Sequence, residues 1–303
     1  MEAATQAGQV VAAVTATVWS RRRRQRASSS AETVRVIYRR LSRSWGPQHW
    51  WPAQTPFEVV AGAILTQNTS WTNVERALAN LRAAGRLSTS GIRSISLEEL
   101  QELLRPGGYF RQKSQRLKDF VRFLDERFAG SVETMLSQPA VVLREQLLAQ
   151  KGIGPETADS ILLYAGHQAV FVVDAYTRRV LERHDVINAD ATYDDIRQLV
   201  EYALATASPP TLGILDPHRP EVHAPSAMST AAKSALAQIY NEMHGLFVQL
   251  GKHYCVKRNP KCESCPLGNL LQQPVSLEPL RQIKRKAKWS RGTVPKKAGK
   301  SRL

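Results

Sequence analysis

Within KGIGPETADSILLYAGHQAVFVVDAYTRRVL, residues 151–181, Gly152 and Gly154 stand two apart between two helical patterns, and Asp174 follows an apolar VFVV run. Glycines let a backbone turn sharply and come close to a ligand. Amides at such a turn, beside the start of the next helix, can hold a phosphate oxygen. That grip fixes a nucleic-acid backbone without reading its sequence, and it needs no basic surface. Asp174 precedes a helical pattern, so its carboxylate can cap that helix and still turn one oxygen into a cleft. Partial desolvation after an apolar run suits a catalytic carboxylate. Each feature also has a plainer reading: a helix–helix turn for the glycines, an N-cap for Asp174.

The elements that must position these residues read as helices. ETVRVIYRRL, from Glu32, has an amphipathic helical pattern, and FEVVAGAILTQNTS is an apolar helix with a polar end. Ser70 is placed to cap SWTNVERALANLRAAG, and LEELQELLRPGGYF stops at a Pro-Gly-Gly break. Helical patterns follow in RQKSQRLKDFVRFLDERFAG, PAVVLREQLLAQ, AYTRRVLERHDVI, TYDDIRQLVEYALATA and AKSALAQIYNEMHGLFVQLGKHYC. The only β-like run, AVFVVD, is too short and isolated to build a sheet. The fold class is all-α with many short helices, and there is no internal repeat. WGPQHWWPAQTP reads as a loop carrying three tryptophans within seven residues, and 208–229 as a Pro/Ser/His-rich loop.

The chain has 303 residues, enough for one large domain or two lobes, and a formal net charge of +16. Residues 1–30 carry +4 and residues 279–303 carry +10, leaving about +2 for the body. Basic tails point to a polyanion such as nucleic acid, or else to solubilising disordered ends. The early apolar stretch VVAAVTATVW is about half of what a membrane span needs, so no membrane role is expected. The three cysteines all lie within residues 255–265, which is no disulfide framework and fits a reducing interior.

Gly-Ile-Gly, then an apolar VV, then Asp174 resembles the helix–hairpin–helix (HhH-GPD) DNA glycosylase superfamily, in its endonuclease III-like branch. PFEVVAGAILTQNTSWTNVERAL, RPGGYFRQKSQRLK and the C-x6-C-x2-C run at Cys255, Cys262 and Cys265 are similar to further segments of that family. The resemblance covers residues 32 to 271. It implies a two-lobed helical glycosylase fold with a C-terminal cysteine loop. Its expected parts are a basic disordered arm (1–31), a terminal lobe (32–56 plus 175–254), a central lobe (57–174), the cysteine loop (255–278) and a basic disordered tail (279–303). It implies that Gln67 fills the hole left by a flipped base. Gly152 and Gly154 would clamp the backbone, and Asp174 would carry the chemistry of breaking an N-glycosidic bond.

Two departures matter. Bifunctional members carry a lysine, which forms a Schiff base, at the position of Glu156; an acid cannot do this. A monofunctional glycosylase is therefore expected, with Glu156 either assisting or serving as a first-turn helix acid. Among monofunctional relatives, 3-methyladenine-type glycosylases are most similar. HWWP and LTQNTSW resemble their aromatic pocket, so Trp50, Trp51 and Trp71 are candidates to stack an alkylated purine by cation–π attraction, or else are core residues. The second departure is Leu271, which stands where the family's cysteine loop has its fourth cysteine. A 4Fe-4S cluster would need a non-cysteine ligand; a three-iron form, a zinc site using His253, or loss of the metal, are the alternatives. His244 and His253 lie on a helix expected near the cleft, where they cap or orient neighbours or else are ordinary surface or core residues. The expected partner is double-stranded DNA with a damaged base, bound by a monomer in the cytoplasm or nucleoid. The rival readings are an endonuclease III-like glycosylase for oxidised or mismatched pyrimidines and a non-catalytic lesion-binding module.

Overall fold

The computed structural model describes residues 21–207 and 224–271, with side chains from Ser28 onward. The ordered elements are helical, and no strand occurs among the described residues. Helix α1 (Arg21–Trp45) buries Ala31, Val34, Ile37, Tyr38 and Leu41 along one stripe. It starts before the expected Glu32: Ser30 Oγ already donates to Val186 O at 3.0 Å. An apolar stripe marks only the buried turns of a helix, whereas Arg, Gln and Ala extend it without one. The remainder of the arm, the tail and most of the 208–229 loop lie outside the described residues.

Helix α2 (Pro56–Leu65) is the centre of the core. Thr55 caps it, proline opens it, and every residue from Phe57 to Leu65 is buried. Around it lie α3 (Trp71–Ala83), α4 (Thr89–Ser94), α5 (Leu97–Leu104), α6 (Phe110–Phe128), α7 (Val132–Leu136) and α8 (Ala140–Leu148). The short α9 (Pro155–Ser160) runs into a π-helical turn, Ile161–Ala165. Ser70 stands at the N-cap of α3 as expected, although its hydroxyl makes no capping bond.

A second group comprises α1, α10 (Ala175–Arg183), α11 (Tyr193–Ala205) and α13 (Ala235–His253), packed on one another. The π-helical turn packs on α2 in the first group and on α13 in the second. It is the junction at which residues from both groups meet. The short α12 (Ala227–Thr230) belongs to the end of the expected 208–229 loop, and there Ser226 Oγ donates to Trp51 O at 3.2 Å.

Two buried polar arrangements fix the frame. Lys113 is fully buried, and its Nζ donates to Leu65 O (2.7 Å) and Gly107 O (2.8 Å), closing the C-terminus of α2. Burial and then the nearby Arg116 push this amine down to about 8. Lys113→Met should leave both carbonyls without their donor and cost about 1–3 kcal/mol, read as a lower denaturant midpoint at unchanged slope. Separately, Arg144 donates to the fully buried Asp159 (2.7 Å) and to Asp194 (3.0 Å), tying α8 and α9 to α11.

Candidate active site

The carboxylate at the junction is Asp174. It caps α10, with Oδ1 accepting from the Thr177 amide at 2.7 Å. Its side chain is 11% exposed, and Oδ2 lies 3.6 Å from His244 Nε2. The run before it forms neither helix nor strand. Instead α11 satisfies its backbone: Phe171 N donates to Glu201 Oε1 (2.9 Å) and Val173 N to the Tyr193 hydroxyl (3.3 Å). Asp174 therefore sits at the end of a segment held on rails. Burial pushes its carboxyl up, but His244 and the Thr177 amide more than offset this, and the net direction is down. Asp174 is held ionised.

Glu156 stands in the first turn of α9 and faces the same region. Burial against the site and then the Asp174 charge push its carboxyl up to about 7, with His244 pulling the other way. More than a third of the residue reaches solvent, so water screens part of that push; its direction is what matters. Two carboxyls in one site are thus driven apart, one kept charged and one raised, which is the pattern of an electrostatic stabiliser beside a proton donor. Lys151 is exposed on the hairpin turn.

The three tryptophans come together. Trp51 and Trp71 meet edge-on with ring centroids 4.9 Å apart; Trp50 lies 5.8 Å from Trp51 and 6.1 Å from Trp71. Trp51 also lies 5.1 Å from Tyr164, and Trp50 lies 6.4 Å from His244. The cluster thus adjoins the residues around Asp174. Trp50 and Trp51 are each 5% exposed and Trp71 is half-buried, so the cluster is closed and the core reading is also satisfied. A Cβ at Gly62 would stand 3.0 Å from the Trp51 ring, so the glycine lets that ring pack closely on α2. The loop is further held by Gln48 N donating to the buried Glu242 at 2.6 Å.

At the hairpin, Gly152 adopts φ +85°, and a Cβ there would collide with Arg116. Gly154 differs: its φ is ordinary, and a Cβ would meet nothing within 4 Å. Its surroundings are open to an outside group. Gln67 does not project freely. Its Nε2 donates to Gly152 O and to Thr157 Oγ1, both at 2.9 Å, and its Oε1 accepts from Arg116. It is docked on the hairpin.

The cysteine loop packs on α10. Arg179 donates to Cys255 O (2.6 Å), and Arg183 donates to Val256 O (2.8 Å) and Cys255 Sγ (3.3 Å). Burial, together with the charges of Cys255 and Cys262, pushes the Cys265 thiol up, while the Leu267 and Gly268 amides oppose it. No group of three or more His, Cys, Asp or Glu is arranged to hold a metal among the described residues, and the fourth place is the apolar Leu271. The donor set does not fit a four-cysteine cluster.

Sequence reasoning named His244 without assigning it to the site and passed over Tyr164, Tyr193 and Glu201. For His244 the signal was present: α13 is otherwise apolar where NEMHG occurs, and its small residues mark close approach. A Cβ at Gly245 would stand 2.8 Å from Gln48, and one at Gly251 would run into Tyr176.

The comparisons with known proteins agree with this geometry. The family model described as HhH-GPD superfamily base excision DNA repair protein matches residues 61–205. The "Putative DNA repair glycosylase" of Methanocaldococcus jannaschii is 40% identical over 78% of this chain and 94% of its own length. The chain belongs to the HhH-GPD superfamily of base excision DNA repair proteins, and it is a DNA repair glycosylase. Among solved structures, the H. pylori 3-methyladenine DNA glycosylase bound to 1,N6-ethenoadenine is 30% identical, with a TM-score of 0.57, covering 74% of this chain and 97% of that one. A trapped endonuclease III–DNA covalent intermediate shares the fold at 18% identity and a TM-score of 0.58, covering 80% of this chain and 95% of that one. Among the described residues no helix is long and apolar enough to cross a membrane.

Proposed function

We propose that this glycosylase flips a damaged base, foremost an alkylated purine, out of double-stranded DNA and hydrolyses its N-glycosidic bond without a lysine-dependent strand cut. The observation that carries the reading is the pairing of Glu156 with Asp174. Two residues beyond the second hairpin glycine stands a carboxyl, within electrostatic reach of the catalytic one, and no amine is there to form a Schiff base. The identity to the H. pylori 3-methyladenine DNA glycosylase, over nearly all of that chain, supports the same assignment.

On this reading Asp174 stabilises the oxocarbenium-like charge on the sugar and aligns the attacking water. Trp71 and the Trp50–Trp51 loop stack the flipped base, and their electron-rich faces favour a cationic purine. Because the rings are closed on one another, the base enters by displacing them. Gly154 and Gly152 offer amides to a backbone phosphate. Gln67 fills the vacated stack by exchanging its hairpin hydrogen bonds for contacts with DNA. The cleft lies between a central lobe of residues 57–174 and a terminal lobe of 32–56 with 175–254. The chain acts as a monomer, and the +10 of residues 279–303 adds salt-dependent affinity. The cysteine loop serves α10 structurally. A cluster there would require a fourth ligand other than cysteine or a three-iron form, and iron and sulfide analysis of the purified protein would show whether any cluster is bound.

The test is base release from methylated duplex DNA, resolved by chromatography, with borohydride added in parallel. Free 3-methyladenine and no protein–DNA adduct are expected. A borohydride-trapped adduct would overturn the monofunctional reading, and failure to release any alkylated base would overturn the substrate class.

A further inference from the structure

His244 lies on α13, 5% exposed, between the catalytic carboxylate and the aromatic cluster. Its Nδ1 is 2.5 Å from the Tyr164 hydroxyl, at the π-helical turn. Its Nε2 is buried and makes no hydrogen bond, yet lies 3.6 Å from Asp174 Oδ2. Rings close the remaining sides: Trp50 and Phe171 both lie 6.4 Å away, centroid to centroid. A buried polar atom without a partner calls for an explanation, and this one faces a single acceptor just beyond bonding distance.

The roles of the two ring nitrogens follow from their neighbours. Burial pushes the Tyr164 phenol well above its ordinary value, and the Asp174 charge adds to this, so the phenol keeps its proton. A phenol that keeps its proton can donate to Nδ1, and that direction would place the imidazole proton on Nε2, toward its one nearby acceptor, Asp174. We infer that His244 is a positioning residue, with Tyr164 fixing its tautomer so that Nε2–H holds the Asp174 carboxylate in place and shortens to a hydrogen bond when the site closes on DNA. The inference rests on the glycosylase reading above and adds a specific device to it. With Thr177 N on Oδ1 and His244 on Oδ2, both carboxylate oxygens are oriented from fixed elements, α10 and α13.

The other ionisable groups near Asp174 are Glu156 on α9, Tyr164 at the π-helical turn, Tyr176 on its own helix and Lys252 on α13. None of them donates a hydrogen bond to its carboxylate in this structure.

The test compares wild type with His244→Leu, His244→Gln and Tyr164→Phe. Single-turnover base release is followed across pH, together with the carboxyl 13C signal of Asp174, which needs no activity. His244→Leu should slow base release on the order of tenfold and move the acid limb, and the Asp174 titration, up by about one pH unit. Gln, whose amide can donate from a similar place, should restore part of both, and Tyr164→Phe should give a smaller shift in the same direction. Duplex binding should be unchanged. If His244→Leu does not fold, the Gln and Phe variants carry the comparison. A rate loss with an unmoved acid limb and an unmoved Asp174 signal would overturn the inference. Absence of base release by wild type, with the Asp174 signal still shifted in the variants, would instead overturn the glycosylase substrate reading and leave the His244 contact standing.

Discussion

Asp174→Asn is expected to lower base release by at least ~10²–10³-fold while leaving duplex affinity and thermal stability near wild type. Both halves follow from one geometry. Asparagine is as good an N-cap as aspartate, and its side-chain oxygen can still accept from Thr177 N, so α10 keeps its start. The charge, however, is gone. The sugar's developing positive charge then faces a neutral amide in a largely dehydrated site, where a fixed carboxylate is worth most. Single-turnover chromatography of released base, alongside binding to an uncleavable duplex, separates the two effects. Equal base release by the variant would remove Asp174 from the mechanism.

Glu156→Gln is expected to act according to the charge of the base. An alkylated purine already carries positive charge and leaves readily, so its release should fall by less than about tenfold. A neutral lesion needs a proton, and there the loss should reach about 10²-fold. Because the Glu156 carboxyl is pushed up to about 7, the wild-type rate on a neutral base should decline as pH rises through that value, and the Gln variant should lack that limb. Stability should respond in a matching way. A carboxyl raised in the folded state from its ordinary 4.5 contributes stability that is full below the unfolded value and lost as pH rises through the folded one. The Gln variant should therefore gain Tm over wild type at pH 8 and show little difference at pH 4. Superimposable pH profiles on a neutral base would assign Glu156 to helix capping alone.

The two carboxyls were visible in the sequence, but their division of labour was not. Both are acids near glycines or apolar runs. Only the fold places His244 and the Thr177 amide on one and leaves the other facing its charge. The tryptophans make the same point. The resemblance of HWWP and LTQNTSW to an aromatic pocket singled out Trp50, Trp51 and Trp71, yet whether they are core or pocket depends on what surrounds them. In the structure they are closed on one another and adjoin Tyr164 and His244, beside Asp174. Gln67 was legible as a residue of interest through family resemblance, while its attachment to the hairpin depends on Arg116 and Thr157, distant in the chain.

Local pattern by itself determined the helical class, most helix positions and the glycine hairpin, and it singled out Asp174 as a candidate. Helix periodicity, capping and breakers act over a few residues, and a short motif survives any packing. The tertiary structure decided what long-range contact alone can decide. It set the support of the 171–173 backbone by α11 and the approach of His244 across seventy residues of chain to Asp174. Burial and charge proximity, which set how a carboxyl behaves, are properties of the packed assembly and have no counterpart in the order of residues along the chain.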